Sequence, residues 1–250
     1  MTITSAHNEK LKEIRKLNAR RRERERAGRF VAEGEDLLAA ADAAGWHPVT
    51  RLCSEGSGLP GEAVVPELLA GASELGSGTR AMAVYEVRWV PAAVGPLCVY
   101  LHGVSDPGNV GTVLRGAQAF GASCVALGPG SADPYGPKAV RASMGSIFNV
   151  PVVAVESVAE LPGVTVALAA DADIALGELW TSMGSIDLWR DKERAITVLI
   201  GAEREGLPQE VVAAADHVAQ IPTAIHSLNA AMAATVALYE LTTRHLGAGT

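Results

Sequence analysis

From Leu97 onward, short apolar runs alternate with longer helical stretches, and few architectures accept that pattern. The runs are Leu97–Val104, Cys124–Leu127, Val164–Ala169, Ile196–Ile200 and His217–Ile221. Helical stretches are expected over Asn109–Phe120, Pro137–Ile147, Pro208–Asp216 and Ser227–Leu246. A strand without polar alternation is buried on both faces. Strands that alternate with helices pair in parallel, because each crossover lays a helix over the sheet. The expected fold is therefore α/β with a covered parallel sheet. Ligands of such sheets bind beyond the carboxyl ends of the strands, where loops lead into helices.

The preceding residues read as a separate, small α/β unit. Leu11, Ile14 and Leu17 recur every three residues within Glu9–Arg26, as in one amphipathic helix. The segment FVAEGEDLLAAADAAG follows, helical up to Gly45, then a short strand over Val49–Cys53 and a Gly/Ser/Pro-rich stretch, SEGSGLPGE. Pro and Gly mark Val90–Pro96 as a linker, which divides the chain into residues 1–92 and 96–250.

The formal charge of −7 argues, taken globally, against a nucleic-acid partner. The average conceals a segregation. Residues 10–29 hold ten basic side chains against three acidic ones, a local +7 that leaves −14 for the remainder. Such asymmetry points to an anionic partner met at one end, with a merely solvated helix face as the bland alternative. Arg20, Arg21, Arg22, Arg24 and Arg29 are the candidate contacts. Three cysteines without C-x-x-C spacing read as buried free thiols, and no metal site is implied. The sequence shows neither a signal-peptide core nor a run of about 20 apolar residues, so a soluble cytoplasmic protein without a membrane partner is expected.

Three turns in the second part carry polar and glycine residues. In LHGVSDPGNVGTVLRG, Asn109 can cap the following helix, and Arg115 shares a face with Gly111 among apolar neighbours. An arginine there needs an anion or a structural ion-pair partner. In VLIGAEREGLPQEV, Gly201 and Gly206 permit close backbone approach or unusual dihedrals. Glu203 either binds a hydroxyl or cation, or caps the next helix. In AQIPTAIHSLNAAM, Ser227 fits an N-cap, Asn229 requires a hydrogen-bond partner, and the helix beyond is apolar enough to be buried all round, partly in a subunit interface. The dinucleotide fingerprint, the P-loop and the serine-hydrolase elbow are all missing.

In this order the three turns resemble the signature motifs of the SpoU (TrmH-like) RNA 2′-O-ribose methyltransferases, within the SPOUT superfamily. Asn109, Gly111 and Arg115 match N-x-G-x-x-x-R, and Gly201, Glu203, Gly206 and Leu207 match G-x-E-x-x-G-L. Ile221, Pro222, Ser227, Leu228 and Asn229 match the I-P and S-L-N elements, followed by an apolar helix ending in Tyr239-Glu240. The basic helix with Gly28–Gly34 is similar to the family's substrate-binding extension.

The resemblance implies a parallel sheet with a C-terminal trefoil knot, a homodimer, and S-adenosylmethionine held by backbone groups at Gly201, Ile221 and Leu228, with Ala169 as a weaker candidate. It assigns Arg115 to activation of the ribose hydroxyl, Asn109, Ser227 and Asn229 to orientation, and Glu203 to anchoring the site. A guanidinium is ordinarily no base; it acts as one only in a special setting, or else works through water or phosphate and stabilises the developing alkoxide. The implied substrate is structured RNA, ribosomal ahead of transfer RNA. In one respect the chain departs from the pattern: only Thr223–His226, with no glycine, separate the I-P and S-L-N elements. That short loop supports a second class of function, a non-catalytic RNA-binding or ribosome-assembly protein that retains the fold.

Overall fold

The structure is a computed structural model and describes residues 2–74, 78–182, 195–225 and 228–243. In chain order the first elements are α1 (Glu9–Ala19), α2 (Arg21–Ala27), β1 (Arg29–Glu33), α3 (Glu35–Ala43), β2 (Thr50–Ser54), β3 (Glu62–Val64), α4 (Pro66–Ala70) and β4 (Ala81–Glu86). Next come β5 (Leu97–Leu101), α5 (Pro107–Ala119), β6 (Cys124–Leu127), α6 (Pro137–Ala142), β7 (Val152–Ala154) and β8 (Val164–Leu168). The described chain closes with α7 (Leu176–Ser182), β9 (Ile196–Ile200), α8 (Gln209–Ala213), β10 (His217–Ala219) and α9 (Ala230–Thr243). Two compact units result. One comprises Met1–Arg88 with Asp133–Asn149, the other Trp89–Ala132 with Val150–Thr250.

The first unit carries a four-stranded sheet in the order β1-β4-β2-β3. Leu11, Ile14 and Leu17 pack with Val31, Leu52, Met82 and Val84 in one core, as their spacing requires. The alternate face of the sheet builds a second core. Phe30 and Tyr85 stack with Trp46, Tyr135 and Phe148, and the Trp46 indole donates to the Phe148 carbonyl at 2.8 Å. Tyr135 and Phe148 belong to the segment from the middle of the chain. This explains why Asp133–Asn149 counts with the N-terminal residues, an assignment that linear domain boundaries cannot express.

Two local expectations differ from the structure. Glu9–Arg26 is two helices, because Arg20 is extended (φ −140°, ψ 124°) and breaks the run between α1 and α2. Residues 30–33 are strand, and the helix starts only after Gly34, whose φ of 103° reverses the chain. Propensity favoured helix there; pairing of β1 with β4 prevailed.

The arginines of this region are not equivalent. Arg24 is buried, its Nε donating to Asp133 at 2.8 Å and its Nη1 to the Leu17 carbonyl at 2.6 Å. As a contact for RNA it is withdrawn, because both its charge and its donors are committed to the interior. Arg29 pairs with Glu13, Arg21 with Glu25 and Arg26 with Glu23. Arg20 and Arg22 are exposed and have no ion-pair partner among the described residues.

In the second unit six strands form a wholly parallel sheet in the order β10-β8-β9-β5-β6-β7. Five of these six match the apolar runs; β7, within the apolar stretch Val150–Val155, was not among them. Helix α5 packs against α9, where Phe120 meets Tyr239 edge-on. Cys98 and Cys124 face each other across β5 and β6 as buried free thiols. The sheet is closed at β10 by Asp216, whose carboxylate accepts from the Thr165 amide and hydroxyl, both at 2.8 Å. Those bonds hold the Asp216 carboxyl below its usual range.

Removing Arg24 strands Asp133 in a buried place, so Arg24→Ala should lower unfolding free energy by about 3–5 kcal/mol. Arg22→Ala should stay within about 0.5 kcal/mol of the parent. Urea denaturation of both variants provides the comparison, and equal midpoints would refute the structural role of Arg24.

Candidate active site

The carboxyl ends of β5 and β9 lie side by side, with Leu101 opposite Ile200 in register. The ladder continues one step further through the His102 amide to the Ile200 carbonyl at 2.9 Å. Two loops therefore leave the sheet at neighbouring points. One leads into α5 and carries Asn109; the other carries Glu203.

The first loop is fixed by Asp106, which caps α5 by accepting from the Gly108 amide at 2.7 Å, with Pro107 following. Asn109 was expected to be that cap. Instead it lies in the first turn, and its side chain is free to turn toward the second loop.

The second loop is a tight hairpin in which Ala202 and Gly206 exchange backbone hydrogen bonds of 3.1 and 2.9 Å. Gly206 has φ 67°, and a Cβ on Gly201 would collide with the Gly206–Leu207 backbone. Gly201 is thus required by its own turn, whatever ligand its backbone meets. The hairpin presents Glu203 at its exposed tip. Glu203 caps nothing: α8 has Pro208 at its N-cap and no side-chain cap.

The third motif completes the cluster. Asn229 donates to Glu203 Oε1 at 2.8 Å and to Asn109 Oδ1 at 3.0 Å, while Asn109 Nδ2 also donates to Glu203 Oε1. Asn229 Oδ1 accepts from the Ala231 amide at 2.9 Å, so Asn229 caps α9. Ser227 lies outside the described residues. Three side chains, successively 94 and 26 positions apart in sequence, thus share one hydrogen-bonded cluster of polar atoms.

Arg115 does not join it. The expectation of buried neighbours was half right, since Val110, Val113, Leu114 and Ala117 are buried. Arg115 itself stands on the opposite face of α5, exposed and without a hydrogen-bond or ion-pair partner among the described residues. A guanidinium so placed is available to an anion.

The four backbone positions expected to hold a cofactor are distributed as follows. Ala169, Gly201 and Ile221 each follow the carboxyl end of β8, β9 and β10, which are neighbours in the sheet, and Leu228 immediately precedes Asn229. Beside Ile221 and Pro222 opens a cleft of about 570 Å³, lined also by Leu176, Val236, Glu178 and Glu240. Its volume suits a small organic ligand, and two carboxylates on an apolar wall suit one that carries positive charge. Glu240 belongs to the Tyr239-Glu240 end of the third motif, without a role assigned to it there; Glu178 was not anticipated, because nothing in its spacing signals it.

Helix α9 differs from the expectation of burial all round. Ala231, Ala234, Leu238 and Leu241 are buried, whereas Met232, Val236 and Tyr239 are 56%, 40% and 54% exposed. Sequence missed two further positions. Tyr100 donates to or accepts from His102 Nδ1 at 2.8 Å, and its ring occupies the space a side chain at Gly128 would need. Burial, followed by Glu156 and Glu160, raises the Tyr100 hydroxyl pKa.

A family model described as the SpoU rRNA Methylase family matches residues 96–239. The chain belongs to this family. The MRM3-like substrate binding domain matches residues 8–86. Among SpoU relatives, the chain is 32% identical to the 23S rRNA (uridine(2479)-2′-O)-methyltransferase of Streptomyces viridochromogenes, covering 95% of this chain and 90% of that protein. It is 26% identical to the 23S rRNA (guanosine(2553)-2′-O)-methyltransferase RlmP of Bacillus subtilis, over 96% of this chain and 98% of that one. Among solved structures, the AdoMet-bound rRNA methyltransferase of Sinorhizobium meliloti superposes with a TM-score of 0.82 at 28% identity, covering 98% of both chains. AviRb of Streptomyces viridochromogenes, a SpoU methyltransferase in complex with AdoMet, gives 0.80 at 28%, over 96% of this chain and 99% of that one.

Asn229→Ala removes a helix cap and two bonds to the cluster. It should cost about 1 kcal/mol in thermal unfolding and free the Glu203 hairpin, detectable as faster amide exchange at Ala202 and Gly206. Unchanged exchange there would show that the hairpin holds itself.

Proposed function

We propose that this chain catalyses S-adenosylmethionine-dependent methylation of a ribose 2′-hydroxyl in ribosomal RNA. The observation that carries the reading is the Asn109–Glu203–Asn229 cluster, which joins one residue from each of three motifs at the carboxyl edge of a parallel sheet. A protein that had kept only the fold would have no need of that arrangement, and the relatives along the whole chain are named as methyltransferases. The catalytic reading is favoured over the non-catalytic one on both counts.

S-adenosylmethionine supplies an electrophilic methyl group on a sulfonium. The residues suited to hold it are the backbones of Ala169, Gly201, Ile221 and Leu228, with the acidic cleft at Glu178 and Glu240 complementing its charge. The chain's own contribution is alignment of the ribose and control of the hydroxyl proton, and alignment alone supplies several kcal/mol in such in-line displacements. Arg115 stabilises the oxygen as it gains negative charge. Asn109 and Asn229, held by Glu203, and Ser227 orient the ribose. Glu203 anchors the cluster by accepting from both asparagines.

A homodimer fits the exposed stripe Met232–Val236–Tyr239, spaced four and three residues apart on α9, the helix packed against the Arg115-bearing α5. A trefoil knot at the C-terminus fits the strand order, in which β10 returns past β9 to pair with β8. A cytoplasmic location is compatible with ribosomal RNA as substrate and with bacterial relatives that act on 23S rRNA. No helix among the described residues is long and apolar enough to cross a membrane. On the first unit, Arg20 and Arg22, exposed and without an ion-pair partner among the described residues, suit RNA phosphates, with Arg21 and Arg29 reachable through exchange of exposed or half-exposed ion pairs.

Arg115→Ala should lower kcat for RNA methylation by about 10²-fold or more while calorimetry still detects S-adenosylmethionine binding. Full activity in that variant would refute the assignment. Arg20→Ala and Arg22→Ala should each reduce the salt slope of RNA binding by about one. An unchanged slope in the double variant would refute the phosphate contacts.

A further inference from the structure

Arg88, the last residue of the first unit's longer segment, is held at both ends. Its backbone is clamped by Tyr135, whose hydroxyl donates to the Arg88 carbonyl at 2.6 Å and accepts from the Arg88 amide at 3.3 Å. Its side chain lies over Trp46, the guanidinium carbon 3.9 Å from the ring centroid. At that distance the cation rests on the face of the ring.

The indole beneath is fixed in turn. Its N–H donates to the Phe148 carbonyl at 2.8 Å, and Phe30, Tyr85 and Phe148 meet it at 85°, 80° and 74°. None of these three rings stacks on it in parallel. Trp46 is 6% exposed, whereas Arg88 above it is exposed. The stack is therefore layered, with a buried ring inside and a guanidinium plane outside. All of these residues belong to the first unit.

Shielding the indole does not account for an arginine, because the methylenes of a lysine or the thioether of a methionine would cover the ring as well. The Arg88 guanidinium donates no hydrogen bond and has no ion-pair partner among the described residues. Glu86, the nearest acid in sequence, does not serve it. Tyr85 turns to the aromatic core and Val84 to the core on the opposite face of the sheet, so Glu86 falls on the face of Val84, away from Trp46. A guanidinium that is fixed in place and keeps its donors unused is preorganised for a planar ligand.

Nucleobases are such ligands. Unstacked bases of RNA lie on aromatic rings or on guanidinium planes, and Arg88 offers the second surface already backed by the first. Its edge donors remain available to an adjoining phosphate. The same unit carries the exposed Arg20 and Arg22. We propose that the outer face of Arg88 is a stacking platform for one unpaired base. That the base belongs to the RNA substrate rests on the proposed function. The platform meets the flat face that every base possesses, so it selects a splayed nucleotide over a paired one without reading sequence.

The test is binding of two labelled single-stranded RNA hexamers to the full chain, one carrying its bases and one abasic with the same number of phosphates. The parent should bind the strand with bases at least about tenfold tighter. Arg88→Lys keeps the charge and the cover over Trp46 and lacks only the plane. It should weaken the base-bearing strand by about tenfold and leave the abasic strand unchanged. Arg88→Met, which keeps the cover alone, should weaken both strands while retaining the parent's thermal midpoint. Equal affinity for the two strands in the parent, or full preference retained in Arg88→Lys, overturns the proposal and leaves Arg88 as a cover for Trp46. Binding requires no methyl transfer, so an overturned platform leaves the methylation reading standing. A chain that shows the Arg88-dependent preference yet transfers no methyl group refutes that reading alone.

Discussion

The parallel pairing of β5 with β9 is the constraint on which the site depends. With Leu101 opposite Ile200, both strands end at the same level, and the loops that follow emerge side by side. An antiparallel pair would send one of those loops to the far edge of the sheet. Parallel order also demands that each connection cross the sheet, which is why Asn109 and Glu203 are neighbours in space at 94 positions apart in sequence. Asn229 reaches them because α9 packs on α5, whose first turn holds Asn109. One register thus sets the meeting point of three motifs.

What could be read beforehand follows from how local the signal is. Continuous apolar runs marked five buried strands, since burial on both faces leaves no room for polar alternation. β7, with three residues, carries no period. The segment Phe30–Glu33 was misread because its composition suits a helix, and only pairing with β4 makes it a strand. The three motifs identified Asn109, Glu203 and Asn229 as a set, but not their individual bonds. That Asn229 both caps α9 and bonds to Glu203 is a long-range outcome that no local pattern encodes. Arg115 shows the opposite case: its neighbours in sequence are apolar, yet a helix turns it to the outer face.

Charge was legible in total and misleading in detail. Ten basic residues within twenty look like one phosphate-binding surface. Folding divides them by task. Arg24 bonds to Asp133 and the Leu17 carbonyl and so holds the Asp133–Asn149 segment to the N-terminal helices. Five others face a carboxylate three or more residues away, and such pairs at the surface contribute little to stability. A basic run therefore overstates the number of cations available to RNA, and the excess is partly structural.

The outer surface of α9 connects architecture with chemistry. A helix so apolar would ordinarily be enclosed, but its Met232, Val236 and Tyr239 remain on the outside while its alanines pack inward against α5. The small inner residues bring the two helices close, while Met232 and Val236 stand on the outer face. Arg115 projects from the same pair of helices into solvent, with no carboxylate partner among the described residues. A second copy covering the stripe would enclose the space around Arg115 and exclude water from it, and in a medium of lower dielectric its charge would act more strongly on a developing alkoxide. Under the proposed homodimer, dimerisation and catalysis would be one requirement, set by a helix pair with an exposed outer face.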